Sequence, residues 1–421
     1  MEIKKWLGLR NTDSPERLKL GECVTALDVD VNNSGKLLSR RGTTKRSSTA
    51  LHSLYSNHLV SIAVAGTNLV AIEPDWSLTT LKALTSTARL SAETVGDVLY
   101  YSNGTDTGRL VGRAPSCWGV KPPMGQPQAT ASTGGLPPGR YLYAFTFVRR
   151  DGHESGTGIS GSIDLTDTGG ISFSSMEVSS NSEVTDKILY LSSTNGEVLF
   201  VAGMMSNNTT SYTYGGNGND LTIPLVTQFA QNPPAGHLVR NYNGIMYVVT
   251  DTGVFYSDPY SFELFRKGTN FQQFPGHVVM FEAANGGLYV GTVDAGGGDD
   301  AEGRGAVWFL SGDRPDKLKS QQLFDYGVIE GTVVVTDAAY FETPIEGQQA
   351  GEQARPIVVW TTRHGTCVGR DDGNCQNLTE TKYSFVSSQR GAAFIRQDRG
   401  YNTLITTLQG TGARTNTYVL P

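Results

Sequence analysis

The chain has 421 residues, 50 of them glycine, with 18% charged residues and a formal net charge of −6. That length points to two or three cores rather than one. The acidic balance argues against a broad duplex-gripping surface, and no run approaches the roughly 20 apolar residues that span a bilayer.

In chain order, Ser14, Pro15, Glu16 and Arg17 predict a short helix, with Ser14 as cap, Pro15 in the first turn and Gly21 as the stop. The opening residues lack the apolar stretch of a signal peptide, which predicts a protein made and kept, or assembled, in a cytoplasm. Ala26 to Val31 alternates like a strand and runs into a turn at Asn32 to Gly35. A basic run follows, with Lys36, Arg40, Arg41, Lys45 and Arg46. Strand pairs are expected at Leu59 to Val64 with Leu69 to Ile72, and at Val98 to Tyr101 with Arg109 to Val111. Their turns fall at Gly66 to Asn68 and at Asn103-Gly104.

Lys121-Pro122-Pro123 and Asn232-Pro233-Pro234 bracket a separate segment, 122–232. Its strands are expected at Arg140 to Val148, Ile163 to Leu165, Ile171 to Phe173, Lys187 to Leu191 and Glu197 to Ala202, a spacing that predicts a β-sandwich. The stretch GLPPGRYLYAFTFVRRDGHESG resembles fibronectin type III-like modules.

From Pro233 to Thr292 the chain shows a strand, a Gly-containing turn and a strand, twice over. The turns are Asn243-Gly244 and Asn285-Gly286-Gly287, and such turns call for φ > 0. Further strands are expected at Val307 to Leu310, at Ile357 to Thr361 with Cys367 to Gly369, and at Ala392 to Gln397 with Thr403 to Leu408. Hairpins recurring about every 40 residues suggest propeller blades. The expected fold is all-β: a β-propeller formed by residues 1–121 and 233–421, interrupted by an inserted fibronectin III/Ig-like β-sandwich at 122–232.

The candidate chemistry is sparse. The Gly-rich acidic loop 294–304 carries Asp294, Asp299, Asp300 and Glu302; it reads as a solvated loop, as a gate or contact loop, or as a calcium site without a rigid cage. Asp30, Asn32, Ser34 and Gly35 fit the first half of an EF-hand loop, but Arg41 stands where its bidentate Glu belongs, so the match is rejected. The basic run reads as a solvated surface, or as a patch for an acidic partner protein or a DNA path. Cys23, Cys117, Cys367 and Cys375 lack zinc spacing and read as free buried thiols, although Cys367 and Cys375 flank a turn and could face each other.

Six histidines lack metal spacing, no nucleophile elbow or P-loop is present, and no third residue orients Cys367 with His364. No catalytic, cofactor or metal residues are therefore expected, and the chain is read as a non-enzyme. Tyr100, Tyr101, Tyr256, Tyr260 and Phe262 could form a binding platform, or belong to the core. Ser311 to Pro315 only faintly resembles the Asp-box of propeller glycosidases.

Several segments together resemble one family. GLRNTDSPERLKLGECVTALDVDVNNSGKLLSRRG at 8–42 contains Ala26, Asp28, Val29 and Asp30, then Gly35-Lys36-Leu37 and Arg40-Arg41-Gly42, and resembles the opening of tail proteins of tailed bacteriophages. Pro233 to Thr292, WFLSGDRPDKL, HGTCVGRDDGNCQNLTE and RGAAFIRQDRGYNTLITTLQGTG extend the likeness. The best-fitting class is the tail nozzle (hub) protein of short-tailed phages.

That resemblance implies a propeller-bearing virion subunit arranged as a homo-hexamer around the tail axis. The ring would lie below the portal and adaptor (head-to-tail connector) proteins and touch tail fibre, spike or needle proteins. It would retain the genome and conduct double-stranded DNA at ejection without reading sequence, with no cofactor and no membrane insertion. Two alternatives stay open: a receptor- or carbohydrate-binding propeller of a tail fibre, and a glycosidase.

Overall fold

The computed structural model describes residues 6–31, 36–294, 304–337, 356–385, 388–398 and 401–409. Among these, regular structure is strand throughout apart from two single 3-10 turns, Pro15–Arg17 and Pro315–Lys317. The strands are short and antiparallel with few exceptions, as a chain rich in Gly, Thr and β-branched residues favours. The chain forms two compact units, one of 49–250 with 254–272, the other of 1–48, 251–253 and 273–421.

The unit of 49–250 and 254–272 contains three up-and-down meanders. The first runs His52–Ser56, Ser61–Ala65, Asn68–Ile72, Leu78–Ala83; the second runs Ser91–Val95, Val98–Ser102, Thr107–Val111, Ala114–Ser116. The third runs Leu238–Tyr242, Ile245–Thr250, Gly253–Asp258, Ser261–Phe265, with Phe271–Gln272 added against Gly253–Asp258. Central strands such as Ile245–Thr250 are buried on both faces, so they read as unbroken apolar runs rather than alternating ones. The Asn243-Gly244 hairpin has the expected left-handed pair, at φ 49° and 73°.

Between the second and third meanders lies a two-sheet sandwich. Gln128–Leu136, Gly169–Ser174 and Tyr212–Tyr214 form one sheet in that order. Gly161–Leu165, Gly139–Arg149, Val184–Ser192 and Leu199–Ser206 form the other. Tyr141, Tyr143, Phe145 and Phe147 point from the second sheet into one core with Leu136, Ile171, Phe173 and Tyr214 of the first. Each such side chain contributes about 1.5–3 kcal/mol through burial.

The chain leaves the meanders for this sandwich and returns to the same place. Val239 N donates to Ser91 Oγ and Gly236 N to Ser102 Oγ, each at 3.0 Å. Tyr100 and Trp118 share a core with Val239, Met246, Val248 and Phe265, and Trp118 Nε1 donates to Phe262 O at 2.9 Å.

The second unit holds two further meanders. One is His277–Ala284, Gly287–Val293, Arg304–Ser311, Lys319–Tyr326; the other is Val334–Asp337, Pro356–Thr362, Gly365–Gly369, Cys375–Asn377. Their core joins Met280, Tyr289, Val307 and Phe309 to Val358, Trp360 and Cys367. Two-stranded pieces complete the unit: Gly8–Leu9 parallel to Glu22–Cys23, Val29–Val31 with Leu37–Ser39, and Arg390–Asp398 with Tyr401–Gln409.

Three local expectations need correction. The helix after Ser14 is one 3-10 turn that stops at Leu18 in extended conformation, before Gly21, and Ser14 makes no side-chain cap. The strand expected from Ala26 starts only at Val29, because Asp28 sits at φ 54°. The expected turn forms at Asn285-Gly286, closing Ala284 onto Gly287, but Gly286 does not adopt a left-handed φ; a Cβ there would lie 2.2 Å from Asp371 O, so glycine is needed for a close backbone approach rather than for its φ. The turn Asn32 to Gly35 lies outside the described residues.

Candidate functional site: a buried ionic cluster

The densest polar constellation in the unit of 49–250 and 254–272 forms where the sandwich meets the second and third meanders. Arg109 belongs to Thr107–Val111, Glu263 to Ser261–Phe265, and Arg149 ends Gly139–Arg149. Gly152, at φ 85°, donates from its N–H to Arg149 O at 2.8 Å and closes the turn that brings Asp151 back toward the arginines. Arg149, Glu263 and Arg109 are all buried, at 2%, 7% and 8% exposure.

The two guanidiniums and two carboxylates interlock. Arg109 Nη1 donates to Glu263 Oε1 and Arg109 Nη2 to Asp151 Oδ2, each at 2.5 Å. Arg149 grips Asp151 through Nε at 2.8 Å and Nη2 at 2.9 Å, and its Nη2 also reaches Glu263 Oε2 at 2.6 Å. Arg149 Nη1 donates to Cys117 O at 2.8 Å. Glu183 extends the network by accepting from Ser116 Oγ at 2.5 Å and Cys117 N at 2.9 Å.

Burial raises the Asp151 carboxyl, but the Arg149 and Arg109 guanidiniums outweigh it and hold the group far below the usual carboxylate range. Burial pushes the Glu263 carboxyl up, against the pull of the same two guanidiniums. Burial, then Arg149, push His153 down to about 4, so its ring is neutral at pH 7. His153 Nδ1 lies 3.2 Å from Glu263 Oε2, while its Nε2 is buried without a partner among the described residues. Burial, then Glu263, push the nearby Tyr100 hydroxyl up to about 12.

Chemically the cluster is a lock. Both carboxylates are committed to guanidiniums, and those bonds join three sheet systems drawn from distant parts of the sequence. Sequence reasoning passed over these residues. The signal was a lone charge on an apolar strand: Glu263 between Phe262 and Leu264, and the Arg-Arg-Asp-Gly-His that ends an aromatic strand.

The residues singled out from sequence fare differently. Asp294 is exposed, while Asp299, Asp300 and Glu302 lie outside the described residues. Lys36, Arg41, Lys45 and Arg46 are exposed. Arg40 is half-buried and turned to Asp30, with Nε at 3.4 Å from Oδ1, so it leaves the basic patch. Tyr100 and Tyr101 are buried, Tyr256 and Phe262 half-buried, and Tyr260 alone of the five is exposed, at 81%. They therefore form no shared surface platform; Tyr100 and Phe262 pack edge-on, with centroids 6.1 Å apart.

The four cysteines are free, and only Cys367 is fully buried. Cys367 stands opposite Asn377 and Cys375 opposite Gly369, so the two thiols are diagonal neighbours rather than a facing pair. Burial pushes them up to about 12 and about 11.

No family model and no curated protein sequence matches the chain. Among solved structures, the chain is similar to the extracellular domain assigned to a one-component system of B. thetaiotaomicron, at 10% identity and a TM-score of 0.21, over 91% of this chain and 60% of that one. It is also similar to the tricorn protease, at 12% identity and a TM-score of 0.15, over 85% of this chain and 34% of that one. The chain thus spans less than two thirds of either, and likeness at this level carries no argument about fold or activity.

Proposed function

We propose that this chain is a structural tail protein of a tailed phage, a subunit of a six-fold nozzle ring that retains the genome and conducts it at ejection. In this reading the meanders are propeller blades and the spliced-in sandwich is a fibronectin-like module facing neighbouring subunits or tail fibres. The family resemblance of the sequence supports it. The observation that carries it is the continuity of the second and third meanders, bonded Ser91 to Val239 and Ser102 to Gly236 across the insertion, with the sandwich locked in place by Arg109, Arg149, Asp151 and Glu263. A scaffold that must stay aligned around a passing polymer gains from a rigid rather than a tethered module.

The test is the copy number of the chain in purified virions, by quantitative mass spectrometry against the portal protein. A ratio of about 6 to 12 supports a six-fold ring under a twelve-fold portal. A larger multiple of three would favour a receptor-binding fibre, and absence from the virion would overturn the proposal.

A further inference from the structure

The chain contains five Asn-Gly pairs, beginning at Asn103, Asn195, Asn217, Asn243 and Asn285, and all five lie between strands. Asn-Gly is a reactive sequence. The glycine nitrogen attacks the asparagine Cγ, and glycine has no Cβ to hinder the approach. The N–Cγ bond forms, the Cγ–Nδ2 bond breaks, and ammonia leaves with the proton that the backbone nitrogen gives up. Water then opens the cyclic imide. Addition at Cγ gives aspartate, and addition at the main-chain carbonyl gives isoaspartate. The sum is amide plus water to acid plus ammonia.

The fold decides which pair reacts, because the attacking nitrogen and the target amide must both be free to move. Gly104 N donates to Gly236 O at 2.8 Å, and buried Asn103 accepts at Oδ1 from Thr105 N at 3.0 Å and Asp106 N at 2.6 Å. Gly196 N donates to Ser193 O at 2.9 Å, and Asn195 Oδ1 accepts from Arg140 N at 3.0 Å. Gly218 N donates to the Tyr214 hydroxyl at 3.2 Å, and Asn217 Oδ1 accepts from Asn219 N at 3.1 Å. Over Asn243-Gly244, Tyr260 N donates to Gly244 O at 2.7 Å, and a Cβ on Gly244 would stand 2.5 Å from the Tyr260 ring. Asn285 and Gly286 differ. Both are exposed, and among the described residues neither the Asn285 amide nor Gly286 N makes a hydrogen bond.

We infer that Asn285 is the position at which this chain is modified by deamidation, and that the change loosens the contact of its turn with the turn 370–374. Gly286 abuts that turn, since a Cβ on it would lie 2.2 Å from Asp371 O. Tyr289, on the strand that follows, donates from its hydroxyl to Arg370 O at 2.5 Å. Isoaspartate adds a methylene to the main chain of a tight hairpin turn that has no room on this side. Either product adds a negative charge to the turn that meets Asp371 and Asp372.

The experiment ages the full chain in neutral buffer, folded and in urea, and maps the products by mass spectrometry with electron-transfer fragmentation, which separates aspartate from isoaspartate. The other four pairs must first break hydrogen bonds or lift a packed ring, so in the folded chain Asn285 should convert roughly tenfold faster than any of them. Urea should remove that spread and accelerate Asn285 least. A folded chain in which another pair leads, or in which Asn285 keeps its amide, would overturn the assignment. The same ranking in urea would overturn it too, since the fold would then not set the order. Conversion at Asn285 should also speed exchange of the Arg370 and Gly373 amides, which donate to Asn374 O and Arg370 O in the facing turn. Asn285→Gln, aged alike, should keep both protected. Unchanged exchange in the converted wild type would overturn the loosening.

Discussion

Arg149 Nη2 donates to Glu263 Oε2 at 2.6 Å across 114 residues of sequence, and both side chains are almost wholly buried. The bond fixes the last residue of a sandwich strand to the last strand of the third meander. Because Arg109 holds the other Glu263 oxygen, the carboxylate works as a hub between two guanidiniums.

Breaking that hub by removing one partner leaves uncompensated buried charge. Glu263→Ala is expected to cost about 3–5 kcal/mol in urea unfolding of the transition that includes the sandwich. The double variant Glu263→Leu with Arg149→Met should lose less than the sum of its singles, since it removes both charges together. Strict additivity in that cycle would show that the two residues do not act as a pair.

His153 gives the cluster a defined pH response. Its folded pKa, about 4, lies below the ordinary 6.5, so between those values the unfolded chain holds more protons. Stability is therefore lost as pH falls through this window, by at most about 3 kcal/mol from this group. Glu263, raised in the folded state, acts with the opposite sign above its ordinary value, so the His153 contribution must be isolated by difference. The gap between wild type and His153→Asn should shift toward the variant between pH 6.5 and 4, and the ring resonances of His153 should titrate near 4. A midpoint at 6.5 would contradict the buried neutral ring.

Lys187 is fully buried inside the sandwich, its Nζ donating to Glu177 O at 2.6 Å and Thr209 O at 2.9 Å, near the faces of Phe145 and Phe147. Burial pushes its pKa down to about 8 from 10.5, so in that range the unfolded chain keeps a proton that the folded chain has shed. Stability should then rise with pH from 8 to 10.5, and Lys187→Met should remove that part of the slope. Parallel pH profiles for the two proteins would rule this out.

Local signals were legible in the sequence and long-range ones were not. Asn243-Gly244 announces its hairpin because the left-handed φ it needs is a property of two adjacent residues. The proline pairs at 122–123 and 233–234 read as punctuation for the same reason, since proline restricts its own backbone and that of its neighbour, but the compact unit of 49–250 and 254–272 does not divide at them. Gly286 sits in a turn as its sequence suggests, yet the reason it must be glycine depends on Asp371, far along the chain. Lys187 passed as an ordinary strand residue, and nothing near Glu263 says that Arg109 and Arg149 will converge on it. Such roles come from register between distant strands, which periodicity alone does not fix.

Asn11 supplies the last example, and the most direct test within the other unit. Its side-chain amide imitates a strand partner: Nδ2 donates to Ser384 O and Oδ1 accepts from Ser384 N, both at 2.8 Å. Asn11 N to Lys382 O and Thr12 Oγ1 to Thr381 O, each at 2.9 Å, continue the attachment, so the beginning of the chain is stitched to a segment near its end. Asn11→Leu keeps the size but removes both amide bonds and should cost about 1–2 kcal/mol locally. The Ser384 amide should then exchange with solvent roughly tenfold faster, since about 1.4 kcal/mol corresponds to a factor of ten in an opening equilibrium. The amides of Val358 to Trp360, in the core of the same unit, should keep their protection. Loss of protection at both places would mean that Asn11 supports the whole unit rather than one seam, and an unchanged Ser384 amide would mean that the seam is held without it.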